Sequence, residues 1–271
     1  MEIQLWRRIL DPYRQAVDEL VVKFNNIKKE YQDNGIYSPI EEVSGRVKRI
    51  YSILEKAQRK GVNLDNVEMI EKNIEDIAGI RVICQFVEDI EKVVDIIHNR
   101  SDLEVKNEKD YISSAKDSGY RSYHVIAFYT VETISGPKKL EVEIQIRTLA
   151  MNFWSTIEHS LQYKYKGNIP QDVRERLLSA ANAVGFLDNE MSSVREEIMD
   201  AQNTNKEKAV MVSDILSNIE NLYSVASKRE IKKIQDEFYE IFATDDHELL
   251  RQFERQLDVL AENYKAQRVE N

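Results

Sequence analysis

The 271-residue sequence has one cysteine, Cys84, set in an apolar run. A lone cysteine excludes an internal disulfide, and with it a disulfide-stapled secreted scaffold, so a reducing compartment is expected. Only 8 glycines and 4 prolines occur while 32% of residues are charged, which excludes a loop-rich chain and favours long helices. No apolar run is long enough to cross a bilayer, and Met1 to Arg8 contain no apolar leader core. The expectation is a cytoplasmic protein without a membrane partner. Excess positive charge is missing as well: the net charge is −10 and the pI about 5.1, which disfavours a general nucleic-acid binder. The glycine loops that cradle phosphate in P-loop enzymes and protein kinases are also absent.

What is present centres on Leu140 to Thr148, LEVEIQIRT. Val142, Ile144 and Ile146 alternate with Glu141, Glu143, Gln145 and Arg147, the period of a β-strand. One face is core. The other lines up two carboxylates, an amide and a guanidinium, either as cross-strand ion pairs or as part of a site.

Leu5 to Tyr31 reads as an amphipathic helix stopped by Asn34-Gly35. Ser38-Pro39-Ile40-Glu41 has a capping-box pattern, but too little chain follows for a long helix. Arg46 and Lys48 share a face of an extended segment, and Ile50 to Lys60 forms a helix capped by Gly61. Lys56, Arg59 and Lys60 gather on one side of it, as a solvated basic face or a polyphosphate site. Glu75 to Phe86 is a turn entering a buried strand, with Asp76 at its mouth. Asp89 to Asn99 is a helix; His124 to Val131 is a second strand, with Ser135-Gly136-Pro137 turning into the third. Strands flanked by helices in this order indicate a mixed α/β (α+β) sheet.

Ala150 to Tyr165 is helical, with His159 read as a structural histidine. Gln171 to Ala201 carries an apolar stripe, either core or an oligomer seam. Asn203-Thr204-Asn205 reads as a joint. Three helices are expected beyond it: Val210 to Val225, Glu230 to Phe242 and Leu249 to Tyr264, the last two with caps at Ser227 and at Asp245-Asp246. This divides the chain into residues 1–202 and an all-helical extension, 206–271.

Asp76 and Glu143 could reach one Mg²⁺, while Arg46, Lys48, Lys56, Arg59 and Arg81 could hold polyphosphate. Tyr120, beside Lys116 and His124, offers a ring for a base. Metal, polyphosphate donor and aromatic platform together suggest phosphoryl or nucleotidyl transfer, and the residues alone leave the acceptor open.

Glu75-Asp76-Ile77-Ala78-Gly79-Ile80-Arg81, Gly119-Tyr120-Arg121-Ser122-Tyr123-His124, Glu143 to Thr148 and Met151 to His159 resemble, in order and spacing, the synthetase motifs of the RelA/SpoT family. The likeness is to its small alarmone synthetases of the RelQ type and covers about residues 1 to 200. It implies a nucleotidyltransferase-like fold and transfer of the β,γ-pyrophosphate of ATP to the 3′-hydroxyl of GDP or GTP, giving ppGpp or pppGpp and AMP, with GMP as a further candidate acceptor. By resemblance Asp76 and Glu143 are Mg²⁺ ligands, with Glu143 also the base. Arg46, Lys48, Lys56, Arg59 and Arg81 match the ATP-binding positions. Tyr120 matches the residue stacking on guanine, and Lys116, His124, Gln145 and Asn152 match acceptor-side positions.

None of the four histidines is followed by Asp, so the hydrolase half of the family's long members is not expected. The resemblance also implies a tetramer around a basic alarmone-binding cleft. The stretches that would line such a cleft carry Val21, Asn25, Lys28 and Glu42, which supply little positive charge. Two other readings compete: a metal-dependent nucleotidyltransferase with a different acceptor, and a catalytically silent oligomeric binding protein.

Overall fold

The alternating stretch lies at the centre of a five-stranded mixed sheet of order β1-β2-β5-β4-β3. The strands are β1 (Glu42–Val47), β2 (Ala78–Cys84), β3 (Glu104–Asp110), β4 (Tyr123–Thr133) and β5 (Gly136–Thr148). The helices are α1 (Ile3–Asp33), α2 (Ile50–Arg59), α3 (Val67–Asn73), α4 (Glu88–His98), α5 (Leu149–Lys164), α6 (Gln171–Leu222), α7 (Lys228–Thr244) and α8 (His247–Val269). The computed structural model describes residues 3–64, 66–165, 169–223 and 226–269. It divides into two compact units, Met1–Ser193 and Val194–Asn271.

In the first unit β2 and β5 run parallel, and β1, β4 and β3 add antiparallel pairings at either side. The parallel pair is central, with neighbours on both sides, and the antiparallel edge tolerates the polar sequence of β3. Val142, Ile144 and Ile146 join Ile80, Val82, Val125 and Ala127 in the main core. Helix α1 covers this core with Trp6, Leu10, Tyr13, Val17, Leu20 and Phe24, all buried at alternating steps of four and three. Each such side chain, fully buried, stabilises the fold by about 1.5–3 kcal/mol. Gly45 lets β1 approach α1, since a Cβ there would lie 2.5 Å from Val17 Cγ1 and 2.8 Å from Val21 Cγ2.

Several expectations change. Ser38 to Glu41 starts no helix; the Ser38 hydroxyl closes a local turn onto Ile40, and β1 follows. The capping-box spelling was satisfied by that shorter loop of hydrogen bonds. Strand β3 and helix α3 have no counterpart in the reading above. EVKNEKD lacks alternation because an edge strand needs only one neighbour, and its register shifts between Val105 and Asn107.

The second unit is built from the later part of α6 with α7 and α8 around Met211, Ile215, Ile219, Leu222, Ile231, Phe238, Leu250, Phe253 and Leu257. The joint expected at Asn203-Thr204-Asn205 is helical, and the separate helix expected from Val210 is the continuation of α6. Its expected end at Val225 lies outside the described residues. Asn and Thr each cost roughly half a kcal/mol against Ala in a helix, too little to break one without Gly or Pro. Ser227 forms the expected capping box with Glu230, and Asp246 caps α8 through Glu248 and Leu249. No helix is long and apolar enough to cross a membrane among the described residues.

Candidate active site

The face of the sheet opposite α1 carries the polar side chains of the central strands. Register pairs Gly79 with Glu143, Arg81 with Gln145 and His124 with Gln145. Arg81, Glu143, Gln145, Arg147 and His124 therefore share one face, because neighbouring residues in register point the same way and i, i+2 residues repeat it. Arg46, opposite Gly79 on β1, joins them.

Five side chains close a ring of hydrogen bonds. Gln145 Nε2 donates to Glu143 Oε2 at 2.7 Å, and Arg147 Nη2 donates to Gln145 Oε1 at 2.5 Å and to the Tyr120 hydroxyl at 3.0 Å. The Tyr120 hydroxyl lies 2.8 Å from His124 Nε2, and His124 Nδ1 lies 3.1 Å from Glu143 Oε1. A carboxylate only accepts, so the ring nitrogen facing Glu143 carries the N–H that donates to it. Burial opposes charge on Glu143, yet His124 and Gln145 together hold its carboxyl below the usual range. Gln145 and His124 thus hold the Glu143 carboxylate from two sides.

Asp76, on the turn before β2, has Oδ2 bridged by Lys48 at 2.6 Å and Lys56 at 2.9 Å. Burial raises its pKa, and the two ammonium groups more than offset this, holding it below the usual carboxylate range. Its Oδ1 is buried without a hydrogen-bond partner. Asp76, Glu143, Arg46, Arg81 and Gln145 line a cavity of about 270 Å³. A neighbouring cavity of about 340 Å³ shares Arg46, Arg81 and Gln145 and adds Tyr120, Arg147, Ser155, Glu158 and His159. Among the described residues no cluster of three or more His, Cys, Asp or Glu could hold a metal.

Around Tyr120 the structure gathers Tyr111 and His124 edge-on, at 6.2 and 5.8 Å between ring centroids. Lys116 Nζ stands 4.7 Å above the Tyr120 ring and 4.3 Å above that of Tyr111. Burial lowers the Lys116 pKa.

Of the expected residues, Arg59 is exposed at the end of α2 and lines neither cavity, and Asn152 on α5 has a buried, unpartnered Oδ1. Glu141, outward as expected, forms an ion pair with Lys106 at 2.7 Å. Arg147 was left without a role by the sequence. It is 3% exposed, its Nε has no partner, and burial followed by the nearby Arg81 and Arg46 makes its charge costly. Three guanidiniums beside one cavity make an anion site. Tyr111 and Ser155, whose buried Oγ is also unpartnered, were missed too. Tyr111 lies outside the four motifs, and Ser155 lies within Met151 to His159 with nothing in its spacing to single it out.

Residues 45–168 match the family described as "Region found in RelA / SpoT proteins". The chain is 52% identical over 202 residues to the GTP pyrophosphokinase YjbM of Bacillus subtilis, covering 74% of this chain and 94% of that protein. It is similar to the structure of small alarmone synthetase 1 of Bacillus subtilis bound to its product pppGpp, with a TM-score of 0.69 and 53% identity, over 72% of this chain and 98% of the other. The same synthetase bound to AMPCPP matches with a TM-score of 0.64 and 49% identity, over 73% and 99% of the two chains.

Proposed function

This chain belongs to the RelA/SpoT family, and we infer that it is a GTP pyrophosphokinase making the alarmones of the stringent response. It transfers the β,γ-pyrophosphate of ATP to the ribose 3′-hydroxyl of GDP or GTP, with GMP as a third candidate acceptor. The new bond joins the 3′-oxygen to the β-phosphorus, the bond from that phosphorus to the α-phosphate's bridging oxygen breaks, and AMP leaves. The observation carrying this reading is the half-buried carboxylate of Glu143, held by His124 and Gln145 beside Asp76 and three arginines that line the two adjoining cavities.

Glu143 is positioned to accept the proton of the attacking hydroxyl. Arg46 and Arg81, which border both cavities, suit the phosphates passed between donor and acceptor. Lys48, Lys56 and Arg59 complete the donor side in this proposal. Tyr120 offers its ring to guanine, flanked by Lys116, His124 and Asn152. The site asks for positioning and charge neutralisation more than for covalent chemistry.

Mg²⁺ fits the pair Asp76 and Glu143, because it takes one or two carboxylates together with substrate phosphates and water. The unpartnered Asp76 Oδ1 is a free acceptor for it. Bound there, Mg²⁺ would neutralise triphosphate charge. Self-association is a further part of the proposal, as a tetramer by family likeness. Leu178, Phe186, Leu187 and Met191 on α6 and Phe153 on α5 are exposed, and exposed apolar side chains of this size mark an interface. A cytoplasmic location fits the nucleotide substrates.

The test is incubation with ATP labelled in the terminal phosphates, Mg²⁺ and each of GDP, GTP and GMP, with the products resolved. Label on a guanosine 3′-position together with AMP is the expected result. AMP without labelled guanosine product would favour the reading with another acceptor. Neither product from folded protein would favour the silent binding protein.

A further inference from the structure

The loop before β4 presents Tyr120 between two residues that face the opposite way. Gly119 is buried with φ +84, and a Cβ on it would lie 2.4 Å from Ala181 Cβ and 3.1 Å from Leu178 Cδ1, both on α6. Arg121 Nη1 donates to the main-chain oxygen of Ala181 at 2.9 Å. Beneath its guanidinium lies Gly185 of α6, where an added Cβ would sit 3.3 to 3.5 Å from Arg121 Cζ, Nη1 and Nη2. Glycine is unfavourable within a helix, and here it makes room for the flat guanidinium. The next residue, Ser122, is buried and donates to the main-chain oxygen of Ile146 on β5 at 3.1 Å. Tyr120 is thus held between a clasp on α6 and a pin on the sheet.

We propose that Arg121 is a positioning residue for the guanosine acceptor, clasping the loop onto α6 so that Tyr120 faces the cleft. This rests on the synthetase reading above and assigns a task to a motif residue which that reading leaves unused. Arg121 lines neither cavity and hydrogen-bonds α6 main chain. Its effect must therefore pass through the loop. Losing the clasp frees the loop to sample positions in which the Tyr120 ring is turned from the base, and only a fraction of molecules then offers the platform. Acceptor affinity falls by that fraction, while the donor half of the cleft, carried by β1, β2 and the turn at Asp76, is untouched.

The experiment is steady-state kinetics of Arg121→Leu, Arg121→Lys and Gly185→Ala, with KM for GDP and for ATP measured separately. Arg121→Leu should raise the KM for GDP about tenfold, the scale of one charge-assisted hydrogen bond. The ATP KM and kcat at saturating GDP should stay within about twofold of the wild type. Arg121→Lys, which can still donate to Ala181, should recover part of the loss, and Gly185→Ala, which crowds the guanidinium, should fall between them. An unmoved GDP KM in a folded Arg121→Leu variant would overturn the proposal. So would a uniform fall in kcat with both KM values unchanged and a lower Tm, the mark of a merely structural contact. Should Arg121→Leu fail to fold, Arg121→Lys and Gly185→Ala decide the same question. Wild-type protein that turns over no guanosine nucleotide would sink the synthetase reading and this one together. Wild-type turnover with an unmoved acceptor KM sinks this one alone.

Discussion

The two units solve the problem of polar groups in opposite ways. In Val194–Asn271 side-chain caps close the starts of α7 and α8: Ser227 with Glu230, and Asp246 with Glu248 and Leu249. Their apolar stripes meet around Phe238 and Phe253. In Met1–Ser193 Asp76 Oδ1 on the turn before β2, Arg81 Nε and Arg147 Nε on the sheet, and Asn152 Oδ1 and Ser155 Oγ on α5 are buried and unpartnered, against His247 Nε2 in Val194–Asn271 among the described residues. Unpaired buried polar atoms cost about 1–3 kcal/mol each, so a fold retains several together only where something else satisfies them. The difference separates a region shaped for stability from one shaped for a ligand.

The comparison breaks first, and most sharply, at Glu143. Glu143→Gln keeps the side chain's shape and removes its charge, so the transfer rate should fall by about 10²–10⁴, the usual scale for a lost general base. Its Tm should stay near that of the wild type. Turnover at the normal rate would show that the polar face is not where the chemistry lies. The opposite test is Phe238→Ala, which should cost the second unit about 3–5 kcal/mol as a cavity opens in its core. Pyrophosphoryl transfer should survive it. A loss of transfer matching the loss of helical signal would mean that the two units cannot be read separately.

Much of this contrast was legible in the sequence, for identifiable reasons. Strict alternation in LEVEIQIRT put Glu143, Gln145 and Arg147 on one face, and caps located α7 and α8. The ring joining Glu143 to Tyr120 and His124 was not legible, because its members come from β5, β4 and the loop before β4. No periodicity links strands paired only by tertiary structure. Strand β3 was missed because an edge strand need not alternate, and the helical path through Asn203-Thr204-Asn205 was missed because weak helix formers resemble a linker although their cost is too small to break a helix. Arg147 shows a third limit: a buried arginine and a solvated one are spelled alike.

Smaller effects sharpen the contrast within the cleft. Tyr120→Ala should raise the acceptor KM by about 10- to 50-fold, since base–aromatic stacking contributes about 1–3 kcal/mol. Tyr120→Phe keeps the ring but leaves Arg147 and His124 without the hydroxyl, and should cost less. Equal KM values for the two variants would place the hydroxyl network above the ring in importance. At Asp76 burial favours the neutral acid, but Lys48 and Lys56 bind the ionised form and hold the folded pKa below its usual range. The stability it contributes is therefore present above the unfolded value and lost as pH falls through the folded one. Acid titration of Tm should show this loss, and Lys48→Met with Lys56→Met should reduce its amplitude. An identical acid profile in the double variant would remove Asp76 from the account.

The smallest expected effect belongs to the second unit and tests its local character. Ser227→Ala removes the oxygen that accepts from the Glu230 N–H and leaves the reciprocal bond from the Ser227 N–H to Glu230 Oε2, at 3.0 Å, in place. The cost should be about 1 kcal/mol, as for other capping residues. Chemical denaturation followed by helical signal would measure it, and kinetics of transfer should not register it at all. The bonds between Ser227 and Glu230 lie within the first turn of α7, so their loss frays that helix end. Gln145→Ala, which removes the bond to Glu143 and the one from Arg147, would release one side of the Glu143 carboxylate and should appear in the transfer rate. If Ser227→Ala instead changed turnover and Gln145→Ala did not, stability and chemistry would not be divided between these two regions as their hydrogen bonding indicates.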